Sequence, residues 1–361
     1  MALCSGVAKL GWVVFSCNVR LTGAQQYKKS FVEADKHFRE FLGAKKSKHF
    51  STAPQIYKGQ RQPSWTKAMR LSTLQLLNYA REMLQMPTKE SEDCTDSERR
   101  LFRATFGASF RTVAELWNML DPTTKISNRA KPKHLLWFLV FLKVNKTEPV
   151  HLRITGCKSR DTFRDWVGRF ASAIADLESR VIVLANRFKD WDGRTQCLMC
   201  IDGTDIPILE PGVRSSIWWS HKFNGPGIRY EVGTCIRTGE IVWFRGPFPC
   251  NISDRDIFDS HLSKKLLPGE GVEADSGYAG RAQVFTPGVA KTSKERKQKS
   301  QVRGRQENVN ARLKVFGVMK RWNNADPAKH AVFARSVAVI VQLSFTLGEG
   351  LYEVPYEANY D

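Results

Sequence analysis

The sequence predicts an α/β fold, a mixed sheet flanked by helices, preceded by an α-helical region. Two observations lead there. Ile228, Tyr230, Val232, Thr234 and Ile236 alternate as a half-buried strand, and Thr238-Gly239 turns the chain into a second strand over residues 240–244. From residue 195 onward the order runs strand, hairpin, helix, strand, helix, which is an α/β layer order.

Each element follows from the residues in turn. The chain has 361 residues, enough for about two domains. Phe31, Phe38, Phe41 and Leu42 share one helical face within 25–42, and 69–86 is a second helical segment. Residues 87–97 are acidic and read as a linker. Two stretches then share a rhythm, with Gly107 leading to Ser109 and Thr112, and Gly156 to Ser159 and Thr162. In each, Gly permits a turn and Ser caps a second helix, which is how a helix-turn-helix reads; an ordinary helical hairpin reads the same way. The apolar run 135–142 supplies the helix preceding the second copy. Residues 195–209 are strand-like, 254–267 helical, and 272–274 a short strand ending at Asp275. Residues 306–319 are helical, and 331–347 form a core helix. The expected divisions are 1–97, 98–180, 195–347 and a tail at 348–361.

Charge narrows the partner. Lys and Arg number 56 against 36 Asp and Glu, a net charge of +20. Such a surplus favours a polyanion, double-stranded DNA above all, over a membrane. The apolar patch at 11–17 is too brief to span a bilayer and makes a poor signal peptide, so no membrane partner is expected. The eight cysteines follow no framework spacing. Cys197 and Cys200 form the one CxxC, and with no second ligand pair they read as buried strand residues in an intracellular protein.

In so basic a chain, carboxylates at strand ends carry weight. Asp202 follows an apolar strand and precedes Gly203, which admits close approach by backbone or phosphate. Asp275 ends a short strand beside Gly277. Glu307 and Lys314, seven residues apart on a helix, share an angular position, while Val309, Leu313 and Phe316 anchor another face. Converging carboxylates suit Mg²⁺ or Mn²⁺. Asp205 is the rival of Asp202. Asp254, Asp256 and Asp259 read as a helix cap with a solvated face.

Several ordered pieces together resemble the catalytic domain of Harbinger-type DDE transposases, relatives of bacterial insertion-sequence transposases. They are Ile201-Asp202-Gly203-Thr204, Lys222 ahead of Tyr230-Glu231-Val232, Gly246-Pro247-Phe248-Pro249, Ser253 to Phe258, Ala274 to Tyr278, and Arg305-Gln306-Glu307-Asn308 running to Lys314. The resemblance covers about 135–345. It implies an RNase H-like fold with Asp202, Asp275 and Glu307 as a catalytic, metal-binding triad. Two ions about 3.5–4 Å apart would serve phosphodiester hydrolysis and strand transfer, with Asp202 bridging them, Lys314 and Arg305 steadying phosphate charge, and Lys222 contacting DNA. It further implies a separate Myb-like DNA-binding partner. A nuclear location (nucleoid in a prokaryote) and a homo-oligomer are expected beside it. Cys250 departs from the small residue the family often has there.

Other DNA-facing features stay open at this level. Arg160 and Arg164 would open a recognition helix. Residues 291–305 carry seven basic residues and one acidic, and read as a phosphate track, a nuclear-localisation signal or a solvated loop. Trp218 and Trp219 either stack an unpaired base or pack at a sheet edge. Two rival functions accompany the transposase reading: a domesticated, non-catalytic DNA-binding protein, and a cellular endonuclease that cuts without joining.

Overall fold

The computed structural model describes residues 71–357 except 121–125, 127–128, 192 and 212–215. The helical face at 25–42 and the apolar patch at 11–17 lie outside the described residues.

The helical region begins with α1 (Thr73–Met83), α2 (Asp96–Phe106) and α3 (Phe110–Met119). Thr95 caps α2 in a reciprocal box with Glu98, so the acidic linker ends two residues sooner than the composition suggested. Next come α4 (Pro132–Val144), α5 (Glu148–Thr155), α6 (Arg160–Ala175) and the single turn α7 (Glu178–Val181). The expected punctuation is present. Gly107 and Gly156 take left-handed conformations at helix ends, with φ of 81° and 66°. Ser109 and Ser159 accept from the backbone N–H groups of Thr112 and Thr162. One correction concerns the second copy: α5 stands between the apolar α4 and α6, because Asn145 ends α4 in the left-handed region and Glu148-Pro149 starts a new helix.

The sheet is mixed and open. β1 (Cys197–Pro207) pairs antiparallel with β3 (Gly225–Cys235), and β3 pairs antiparallel with β4 (Ile241–Pro249) and the short β2 (Trp219–Ser220). On its other side β1 pairs in parallel with β5 (Gly271–Glu273), which pairs in parallel with β6 (Val284–Phe285). The crossover from β4 to β5 contains α8 (Asp254–Ser260). An antiparallel meander continued by parallel strands, with helices on both faces, agrees with an RNase H-like DDE domain.

Two helices complete it, α9 (Ser293–Leu313) and α10 (Pro327–Ser344). The basic segment 291–305 is thus mostly helix, which removes the loop reading. α9 buries a polar face: Gln298, Lys299, Arg305 and Gln306 are all sealed. Gln306 accepts from Thr234 Oγ1 at 2.6 Å and donates to the Val232 carbonyl, binding the helix to β3. Lys299 Nζ reaches both oxygens of the buried Glu273 on β5, at 2.8 and 2.6 Å, and Tyr356 Oη donates to the same carboxylate.

Residues 327–349, α10 with the turn that follows it, are long and apolar enough to cross a membrane by length and composition, yet α10 lies in the core. Phe333, Val337 and Ile340 belong to one cluster with Leu135, Phe138 and Phe170 of α4 and α6, and Ile228, Tyr230 and Phe244 of the sheet. Ser336 Oγ donates to the Ala171 carbonyl of α6 at 2.9 Å. Cys197 and Cys200 are buried on β1, and burial pushes both thiols well above their usual range.

Candidate active site between β1, β5 and α9

Strand alternation sets which carboxylates can meet. Asp202 and Asp205 lie three residues apart on β1, an odd separation, so they leave opposite faces of the sheet. Asp205 is buried against Arg229, whose Nε and Nη2 donate to its two oxygens at 2.7 and 3.0 Å; Ser220 Oγ donates at 2.6 Å. Burial opposes its charge, yet these hydrogen bonds hold the Asp205 carboxyl below the usual carboxylate range. Its oxygens are committed to holding β1, β3 and β2 together.

Asp202 does not end a strand, as the sequence suggested, but sits midway along β1, because the strand runs on to Pro207, and it faces α9. Asn310 Nδ2 donates to its Oδ2 at 2.7 Å. The parallel register pairs Cys200 with Glu273, so two residues further on Asp275 stands beside Asp202, just where β5 has ended. Asp275 caps the following turn by accepting from Gly277 N–H at 2.9 Å. Burial pushes the Asp202 carboxyl up, Lys222 pulls it back, and the charges of Asp275 and Asp254 push it further.

Asp254 is the residue the sequence reading set aside. Ser253 caps α8 as expected, accepting from Asp256 N–H, but Asp254 turns inward. Its Oδ1 lies 3.1 Å from Arg229 Nη1, and a β-carbon on Gly203 would collide with it. Burial raises its pKa, with Arg229 and Lys222 opposing and Asp275 adding. Gly203 therefore admits a neighbouring carboxylate. Gly203→Val is expected to destabilise the fold by about 1–3 kcal/mol through overpacking, read as a lowered melting temperature with Asp254 displaced.

The other expected residues are placed as follows. Glu307 is exposed on α9, one turn before Asn310, on the helix face that meets Asp202. Lys222 Nζ donates to the Gly203 carbonyl at 2.9 Å. Lys314 is half-buried; burial and the charge of Lys222 lower its pKa while Asp202 and Asp205 oppose. Both lysines thus attend Asp202. Arg305 does not: it is sealed, donating to the carbonyls of Cys235, Ile236, Arg237 and Tyr352, so it cannot steady a phosphate. Arg160 is exposed at the start of α6. Arg164 makes a bidentate pair with Glu148 of α5, at 2.5 and 2.7 Å. Trp218 packs against the core and Trp219 is exposed on the edge strand β2.

As placed, no three His, Cys, Asp or Glu side chains among the described residues stand close enough to hold a metal ion. The donor chemistry nevertheless fits a hard divalent cation. The donors are all oxygens, the central carboxylate is half-buried among like charges, and Asn310 Oδ1 is buried with no hydrogen-bond partner. Asp254 and Asn310 were missed because a capping context and a neutral side chain carry no signal without the fold.

No curated protein and no solved structure matches the chain. Residues 201–343 match the family model described as DDE superfamily endonuclease, and Asp202, Asp275 and Glu307 all fall within that span.

Proposed function

We propose that the protein is a metal-dependent DNA endonuclease of the Harbinger-type transposase kind, with Asp202, Asp275 and Glu307 as its catalytic carboxylates. The observation that carries this reading is that Asp202, midway along β1, stands beside Asp275, just past the end of the neighbouring β5, under the helix that bears Glu307 and inside the stretch that matches the endonuclease family. Divalent cations held there would activate the attacking oxygen and stabilise the leaving 3′ oxygen of an in-line displacement. The chain's own groups do the rest. Asn310 orients Asp202, while Lys222 and Lys314 place positive charge beside it for the scissile phosphate.

Duplex DNA is the substrate this reading requires, with water as the first nucleophile and a freed 3′-OH as the second. Lys291, Arg296 and Lys297 are exposed on or beside α9 and Arg303 is half-buried there, so they form the phosphate track. Lys299 and Arg305 are buried and take no part in it. Arg160 is the better placed of the two α6 arginines for DNA contact, since Arg164 is already held by Glu148. A nuclear location, a Myb-like partner and a homo-oligomer belong to the same proposal.

Supercoiled plasmid incubated with the protein and Mn²⁺ is expected to be nicked, with chelator abolishing the reaction. A labelled 3′ end should become joined to plasmid. Nicking without joining would favour a cellular endonuclease. Binding without nicking in either Mg²⁺ or Mn²⁺ would overturn the enzymatic reading in favour of the domesticated one.

A further inference from the structure

Asn310 is uncharged, sits on the polar face of α9, and contacts the central carboxylate of the site, Asp202. Its two side-chain heteroatoms have distinct fates. Nδ2 donates to Asp202 Oδ2 at 2.7 Å, and this fixes the amide's orientation, because an ionised carboxylate offers no donor. Oδ1 is then left buried without any hydrogen-bond partner. A buried amide oxygen without a partner is costly, and such groups call for an explanation such as an ion or a water. A second orphan lies nearby in the fold: Thr204 is 3% exposed, its Oγ1 likewise has no hydrogen-bond partner, and it follows Asp202 by two residues on the same face of β1.

We propose that Asn310 is a fourth oxygen ligand of the cation site, its Nδ2 fixing Asp202 Oδ2 so that Asp202 Oδ1 and Asn310 Oδ1 are presented together. The inference rests on the metal-dependent reading above and adds to it a neutral donor. A neutral oxygen is chemically apt here. Asp202 is already crowded by Asp275 and Asp254, so another carboxylate would add repulsion, whereas an amide adds a ligand without charge and ties the first ligand in place. The helix supplies the rigidity. Gln306, one turn earlier on the buried side, is bonded to β3 at two points, which sets the depth at which residue 310 meets β1.

The test uses the full chain without DNA, so that activity is not the readout. Mn²⁺ is titrated by calorimetry, and by the loss of the free-ion electron paramagnetic resonance signal, against wild type, Asn310→Leu and Asn310→Asp. Wild type should bind. Asn310→Leu, close in volume and devoid of donors, should weaken Mn²⁺ binding by about 10–100-fold. Asn310→Asp restores an oxygen but not the amide donor; it should bind within a few-fold of wild type, with a lower melting temperature in the absence of Mn²⁺ that recovers on adding it. Equal Mn²⁺ affinity in wild type and Asn310→Leu would overturn the proposal and leave the metal site intact. Should Asn310→Leu fail to fold, Asn310→Asp decides alone: weak binding by a folded Asn310→Asp overturns the ligand role. Absence of Mn²⁺ binding by wild type itself would overturn the metal-dependent reading together with this one.

Discussion

Changing Asp202 or Asp275 to Asn, or Glu307 to Gln, is expected to reduce metal-dependent DNA cleavage by about 10³-fold or more, equivalent to about 4 kcal/mol of barrier, while DNA binding persists. Each swap keeps side-chain volume and removes a charge that a divalent cation needs. Asp205→Asn is the informative contrast. Asp205 carries the Arg229 pair and the Ser220 bond, so its loss should appear first as a lowered melting temperature. Nicking assays with supercoiled plasmid, run beside thermal melts, separate the two behaviours. Wild-type cleavage in any of the three triad variants would remove that residue from the chemistry.

The largest effect on stability is expected at a buried ion pair outside the candidate active site. Arg187 and Glu270 are both sealed from solvent and joined through two bonds of 2.5 and 3.0 Å. Arg187 also donates to the Leu184 carbonyl, and Glu270 accepts from Leu267 N–H. The guanidinium lies 4.2 Å from the centre of the Phe188 ring. Glu270→Leu would strand a buried cation, at a cost of about 3–5 kcal/mol. The double variant Arg187→Met, Glu270→Leu should recover much of that loss, since an apolar pair of similar volume is often tolerated. Denaturant unfolding of the two singles and the double measures the coupling. A single variant as stable as wild type would mean that the pair contributes nothing.

Much of the fold from residue 195 onward was legible in the sequence because its strands obey simple periodicity. The alternation from Ile228 to Ile236 and the Thr238-Gly239 turn became β3, β4 and the hairpin between them, with Gly239 at φ 75°. The serine caps were legible too, since a cap is a local hydrogen bond between neighbours in sequence. The first two-thirds of α9 was not. Its buried positions are Gln298, Lys299, Val302, Arg305 and Gln306, so it has almost no apolar stripe to detect. It is held by hydrogen bonds to partners that are distant in sequence: Glu273, Thr234 and the carbonyls around Ile236. Asp254 was misjudged for a related reason. Ser253 explains the helix start completely, and only the fold shows that the next side chain points at Gly203.

The core shared by α4, α6, α10 and the sheet has a practical outcome for anyone trimming this protein. The boundary near residue 195 looks like a natural place to cut, because the chain changes character there. Yet Phe333 packs against Phe138 and Phe141, with ring centres 6.5 and 4.9 Å apart, and Ser336 bonds to Ala171. A fragment starting at 195 would carry α10 with its aromatic and aliphatic flank facing water. Such a surface seeks another copy of itself, so recombinant preparations of the shortened chain should collect in inclusion bodies, while those retaining α1 onward should stay in the supernatant.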